Sequence, residues 1–133
     1  MLVAIIADVH DNLPNLDRCL SWCREHQVEK LIACGDLGSF ETVEHLALGF
    51  PKEIFLIRGN ADNFQDEDLK KLENVRYGGL AANHDFAGVL CGYCHQPEKI
   101  SLLSDLSGKG FDYIFYGHTH KPWIKQEDKT YIA

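Results

Sequence analysis

Positive charge is scarce in this chain. Thirteen Lys and Arg stand against twenty Asp and Glu, a net charge of −7 over 133 residues. Affinity for long nucleic acid comes largely from basic side chains on phosphates, so long nucleic acid is not expected as the main partner. A small phosphorylated substrate is not excluded, because acidic residues that face bound cations reverse the local charge. Long apolar runs are also missing: none approaches the roughly 20 residues of a membrane-spanning helix, and no membrane partner is expected. Met1 runs straight into an apolar strand with neither a basic leader nor a cleavage site, the pattern expected of a cytoplasmic protein. An even set of cysteines is absent too. Cys19, Cys23, Cys34, Cys91 and Cys94 make five, an odd number that points to reduced thiols. Cys19 and Cys23, four apart on a predicted helix, share a face and read as small buried hydrophobes. With no internal repeat, low-complexity tract or linker, and with 45% hydrophobic residues, residues 1–133 read as one globular domain with a core that needs no staples.

What is present is a set of short apolar runs. Leu2–Ala7, Val28–Cys34, Glu53–Arg58 and Phe111–Tyr116 are rich in Ile, Val, Leu and Phe. Runs of this kind, separated by helix-like stretches, are the pattern of buried parallel strands in an α/β protein. Between them, Asn12 can cap a helix from about Pro14 to Glu25, whose Leu13, Leu16, Leu20 and Cys23 fall on one face. Glu41–Leu48 is a short helix stopped by Gly49 and Pro51, and Asp66–Leu72 a charged surface helix. From Asn74 to Tyr93 the character changes: Gly78, Gly79 and Gly88 punctuate the β-prone pieces Val75–Tyr77 and Phe86–Tyr93, which read as a meander or second sheet. Pro97–Leu106 is expected to be a helix with Ile100, Leu103 and Leu106 inward. Trp123–Gln126 and Thr130–Ile132 are expected to form a hairpin around Glu127, Asp128 and Lys129.

Each of the four runs ends on residues able to hold a metal ion: Asp8-Val9-His10, Gly35-Asp36, Gly59-Asn60 and Gly117-His118-Thr119-His120. Ligands bind beyond the carboxyl ends of parallel strands. Alternate residues of an extended strand point to one side, so Asp8 and His10 are expected to grip one ion together. His118 and His120 share that spacing, but in a loop they can diverge to two ions. Gly35, Gly59 and Gly117, each placed before a ligand, let the backbone turn sharply and approach a bound group. Carboxylate with imidazole suits Zn, Mn, Fe, Co or Ni better than Ca. Asp8, His10, Asp36, Asn60, His118 and His120 exceed one tetrahedral site and suit two ions sharing a carboxylate, with a seventh ligand still to be found. Two ions about 3.5–4 Å apart lower the pKa of a bridging water and neutralise phosphoryl charge, so that the hydroxide attacks phosphorus in line with the leaving oxygen. Taken singly, such an Asp is ordinarily a turn or cap residue and such a His a satisfied polar one; four endings together point to a shared site.

The order Asp-x-His, Gly-Asp, Gly-Asn, a lone His, then Gly-His-x-His resembles the calcineurin-like metallophosphoesterase superfamily, and the short chain resembles its small bacterial and archaeal phosphodiesterases. The resemblance implies a four-layer α/β/β/α sandwich with a dimetal site at the strand ends. It implies that Asp8, His10 and His120 hold the first ion, that Asp36 bridges, and that Asn60 and His118 hold the second. The remaining His of the second site follows a strand and precedes the last helix. His95 is in that place, although Gln96 stands where the family usually has Gly; His84 is the competitor but lies before the strand. His84, His26 and His45 are otherwise read as exposed or helix-surface histidines. Cys91-Gly92-Tyr93-Cys94-His95 also spells a c-type haem attachment pattern, and its first four residues a redox pair; an oxidising compartment and a helix start, respectively, are lacking.

Two departures from the family carry consequences. Ala61 stands where many relatives have a His that protonates the leaving group, so poor leaving groups should be cleaved slowly, since proton transfer contributes typically ~10²–10⁴-fold, and monoesterase activity is expected to be weak. Relatives also continue with an Asn-Pro-Gly-Ser turn and a further strand, whereas this sequence stops at Ala133; it is read either as a short member or as a piece lacking its last strand or strands. The expectation is a phosphodiesterase with two divalent ions (manganese first; Zn, Fe, Ni or Co as alternatives), acting through His10, Asp36 and Asn60 on a small phosphodiester. The other reading is a non-catalytic scaffold, since the superfamily includes a retromer subunit that uses an apolar surface for partners. Exposed Trp22, Phe40, Phe64 or Trp123 would raise that reading. Arg58 is expected in a strand-edge salt bridge, and Asp11 and Asn12 as caps of the first helix or substrate contacts.

Overall fold

The structure, a computed structural model, describes residues 1–105 and 107–133. Its first sheet has the order β1 (Val3–Ile6), β2 (Lys30–Ala33), β3 (Ile54–Leu56), β4 (Val75–Tyr77), all parallel. Three helices connect these strands: α1 (Leu13–Glu25), α2 (Phe40–Gly49) and the short α3 (Asp66–Leu69). The strands are apolar on both faces because both faces are covered. Leu31, Ala33, Ile54 and Leu56 pack with Leu16, Leu20, Val43 and Leu46 of the helices. The alternate residues Ile32, Cys34, Phe55 and Ile57 pack with Phe86, Cys91 and Tyr93 of the second sheet. A one-residue slip would exchange the two sets, so the side-chain period of two fixes the register.

The second sheet has the order β5 (Ala81–Phe86), β6 (Val89–Cys94), β7 (Tyr113–Phe115), β9 (Thr130–Ile132), β8 (Lys125–Glu127). β6, β7 and β9 run parallel, and the two hairpins β5–β6 and β8–β9 are antiparallel. On the outer face, Leu103 and Phe111 cover Gly92, where a Cβ would come 2.7 Å from Leu103 Cδ1.

Several expected elements take other forms. Val75–Tyr77 joins the first sheet rather than the second, pairing Ile54 with Val75. Asn74 fixes that crossover: its Nδ2 donates to the carbonyls of Ala47 at 2.9 Å and Phe50 at 2.8 Å. The run Phe86–Tyr93 is split by a two-residue turn at Ala87 and Gly88, with φ of 55° and 91°, as a tight hairpin turn of the primed kind requires. Its partner β5 is largely solvated and polar in sequence, which hid it. The helix expected over Pro97–Leu106 is a 3-10 helix over Pro97–Leu102. Ile100 packs inward from it; Leu103 is already extended so as to reach Gly92, and Leu106 lies outside the described residues. No helix among the described residues is long and apolar enough to cross a membrane.

Candidate metal centre

β1, β2, β3 and β7 stop short of their apolar runs, and the chain reverses sharply just beyond each. Asp8, His10, Asp36, His118 and His120 all have left-handed backbones, with φ between 48° and 68°. Such a conformation is uncommon for a residue with a Cβ and costs of order 1–3 kcal/mol, so it persists where the surroundings enforce it, above all at functional sites. Asp8 and His10 therefore converge by left-handed turns after the strand, not by the pleat of an extended one. Backbone bonds hold those turns: Asp8 N–H donates to Gly35 O at 3.1 Å and His10 N–H to Asp36 O at 3.0 Å.

Two glycines let the loops close. A Cβ on Gly59 would overlap the Asp36 carboxylate and backbone nitrogen, and one on Gly117 would sit 2.6 Å from Asp8 Oδ2. Only hydrogen fits at either place.

Asp8 and Asp36 form the middle of the cluster. Asp8 Oδ1 lies 3.6 Å from His10 Nε2 and 3.2 Å from His120 Nε2. Asp36 Oδ2 lies 3.7 Å from His10 Nε2 and 3.1 Å from His95 Nε2. His118 stands edge-on to His95, ring centroids 5.3 Å apart, and its N–H donates to Asp8 Oδ2. The two His of the Gly-His-x-His segment thus go separate ways, His120 toward His10 and His118 toward His95. Asn60 Oδ1 is 3.0 Å from His95 Nε2. Ligand atoms within 4.8 Å of one another group Asp8 with His10 and His120, and Asp8 with Asp36 and His95. Asp36 and His95 are each only 2% exposed, whereas the His10 and His120 side chains are 40% and 61% open. The centre therefore has a buried floor and an accessible rim.

Two observations test whether cations fit. Asp8 Oδ1 is shut off from solvent and takes part in no hydrogen bond among the described residues, a costly state for an oxygen with nothing to bind. His95 gives the second. Its Nδ1 lies 2.8 Å from the Cys34 carbonyl, an acceptor only, so Nδ1 donates there and Nε2 is the ring nitrogen turned toward the oxygens of Asp36 and Asn60. An imidazole nitrogen and carboxylate and amide oxygens meeting at one point are the donor set of a cation site, and a carbonyl behind a histidine is the usual way of orienting a metal-ligating ring. The residues fit divalent ions.

Other candidates fall elsewhere. His84 is exposed on β5, its ring against Phe55 and Phe86 at centroid distances of 4.5 and 4.7 Å. His26 bonds the Trp22 carbonyl, and His45 pairs with Asp17. Arg58 pairs with Asp66 at 2.6 Å and donates to the Phe64 carbonyl at 2.7 Å, so it braces its own loop. Asn12 caps α1, its side chain accepting from Asn15 N–H. Asp11 instead serves α2: its Oδ1 accepts from Ser39 N–H, Ser39 Oγ and Thr42 Oγ1. Ser39 N–H first, then the two hydroxyls, hold the Asp11 carboxyl below its ordinary range. Cys91 and Cys94 are buried in β6, and burial above all pushes both thiols up to about 11. A redox pair needs the opposite shift and an accessible sulfur. The sequence reading gave no role to Asp62. Its carboxylate accepts three backbone N–H groups from the loops after β2 and β3; its proximity to Gly59-Asn60 was the only sequence signal.

The model of the calcineurin-like phosphoesterase superfamily domain matches residues 1–133. The chain belongs to that superfamily. Phosphoesterase activity and metal dependence go with the family. A curated relative, phosphodiesterase MJ0936 of Methanocaldococcus jannaschii, is 24% identical over 99% of this chain and 81% of its own length. A solved archaeal phosphodiesterase superposes with a TM-score of 0.84 at 23% identity, covering 99% of this chain and 81% of that one. The Escherichia coli phosphoesterase YfcE superposes at 0.74 with 22% identity, over 99% and 77%. Vacuolar protein sorting 29 of Cryptosporidium parvum superposes at 0.69 with 17% identity, over 98% and 70%. These solved structures share the fold with the superfamily chain.

Proposed function

We propose that residues 1–133 form one metallophosphoesterase domain that hydrolyses small phosphodiesters with two divalent cations, in a reducing, cytoplasmic setting. The observation that carries this reading is the convergence of imidazole nitrogens on Asp8 Oδ1, which has no hydrogen-bond partner among the described residues, and on Asp36 Oδ2. Asp8, His10 and His120 would hold one ion, Asn60, His95 and His118 the other, and Asp36 would be shared. Bound there, such ions lower the pKa of coordinated water and offset charge on a phosphoryl group. The chain supplies the rest. His95 is held by Cys34 O in the tautomer that presents Nε2. Asp36 is oriented by Ala61 N–H, which donates to its Oδ1 at 2.7 Å. His10 and Asn60, both on the open rim, are within reach of a phosphate oxygen or leaving group. Manganese is the first choice of ion, and the five cysteines, none in a disulfide, suit a reducing compartment.

Hydrolysis of bis-p-nitrophenyl phosphate with added manganese tests the proposal. Wild type is expected to turn over and Asp36→Ala to lose at least a hundredfold in rate; equal rates would overturn it. Ala61, exposed beside Asn60, brings no proton donor. Matched aryl esters should therefore show clear preference for the diester, and a preference for the monoester would refute that part. The scaffold reading draws on Trp22 and Trp123, 49% and 39% exposed, and on the sorting-protein neighbour; Phe64, buried under Arg58, does not support it. Absence of metal-dependent turnover in the wild type would favour the scaffold.

A further inference from the structure

Asp62 is part-buried beside the cluster, and its carboxylate is taken up by backbone. Oδ2 accepts from Asp36 N–H at 3.0 Å and from Gly59 N–H at 2.7 Å, and Oδ1 accepts from Gly38 N–H at 2.8 Å. These three amides belong to two loops, one after β2 and one after β3. The loops are tied in the other direction as well: Ala61 N–H donates to Asp36 Oδ1, and Asn63 N–H to Gly38 O at 3.1 Å. The segment carrying Asp62 is itself held from behind, because Arg58 donates to the Asp62 carbonyl at 3.2 Å and to the Phe64 carbonyl at 2.7 Å.

Asp36 explains why a carboxylate is needed. Its left-handed backbone, φ 53°, turns its N–H out of the sheet ladder, and burial denies that N–H water. An unmet buried donor is costly, and bonds from N–H to an ionised oxygen are about twice as strong as neutral ones. A single anion that answers three amides at once also sets the spacing between the loops that bear Asp36 and Asn60. An amide side chain cannot do the same, since one oxygen would become an NH₂ opposing a backbone donor.

We propose that Asp62 is the positioning residue of the centre: it clasps the Asp36 loop to the Asn60 loop and so fixes the cation position lined by Asp36, Asn60, His95 and His118. This rests on the two-cation reading above. The test titrates manganese into metal-free wild type, Asp62→Asn, Asp62→Ala and Asn60→Ala by calorimetry, with far-UV circular dichroism as the check on folding. Wild type should take up two ions, and Asn60→Ala marks the step that belongs to the Asn60 side. In Asp62→Asn that same step should weaken about 10- to 100-fold, as loss of an outer partner does at metal sites, and the other step by several-fold less. Turnover should then recover as manganese is raised. Should Asp62→Ala fail to fold, the isosteric Asp62→Asn carries the measurement. A folded variant with lower thermal stability but both steps unchanged overturns the clasp and leaves the two-cation reading standing, and so do two steps weakened equally. A wild type that takes up no ion overturns both.

Discussion

Asp11 and Asp62 lie close in sequence to proposed ligands, and both carboxylates are engaged by other groups. Both spend their charge on backbone and hydroxyl donors, so the negative charge near the centre is partly structural. For Asp11 the consequence can be measured. Its carboxyl joins the loop after β1 to the start of α2, where a negative group also meets the positive end of the helix. Asp11→Ala should cost about 1 kcal/mol, read by urea denaturation, without loss of metal uptake. The pH dependence has a definite sign. A carboxyl held below its unfolded value of about 3.9 contributes its stability in full above that value and loses it as pH falls through the folded value. The difference between wild type and Asp11→Ala should therefore be constant near neutrality and shrink below about pH 4.

At the scale of elements, the decisive parts are the turns after the strands rather than the strands. β2 and β3 lie side by side in parallel, so Gly35-Asp36 and Gly59-Asn60 emerge together, and the contact between them is as close as backbones can come. A Cβ on Gly35 would be 2.7 Å from Gly59 N, and one on Gly59 would displace Asp36. Gly59→Ala should destabilise the fold by about 1–3 kcal/mol as an overpacking change and weaken metal uptake, because the side chain it pushes is the carboxylate proposed to be shared. Equal stability and equal uptake in the variant would show that the loops have room to part. Gly79, whose added Cβ meets nothing within 4 Å, is the control position for uptake.

Across the whole molecule, the centre is joined from both sheets. Asp8, Asp36 and Asn60 come from the first sheet, His95 and His118 from the second, and the apolar layer of Ile32, Cys34, Phe55, Ile57 and Tyr93 lies between. Ions bound at the common edge would tie the sheets together. Binding to the folded state alone adds about 2.7 kcal/mol at one hundred times the dissociation constant. The melting temperature should rise with manganese and fall back with a chelator, and the shift should vanish in Asp36→Ala. A melting temperature indifferent to both additives would contradict two cations bridging the sheets.

How much of this was legible in the sequence differs by feature. The first three strands, α1, α2 and the β8–β9 hairpin are readable because each has a local signal: an apolar run, a three-and-four periodicity, a capping residue. β5 is not, since Ala81–Phe86 is half polar and pairs along one edge only, and the sheet that Val75–Tyr77 joins is not either, because three residues do not say which edge they will join. Motif order brought the candidate ligands to notice, since chemistry is written in residue identity. The left-handed turns that aim Asp8 and His10, the division of His118 from His120 between two partners, the orientation of the His95 ring and the work of Asp62 were decided by tertiary structure. Each depends on which backbone atom from a distant segment lies within 3 Å or so, and a one-dimensional sequence records residue types, not those meetings.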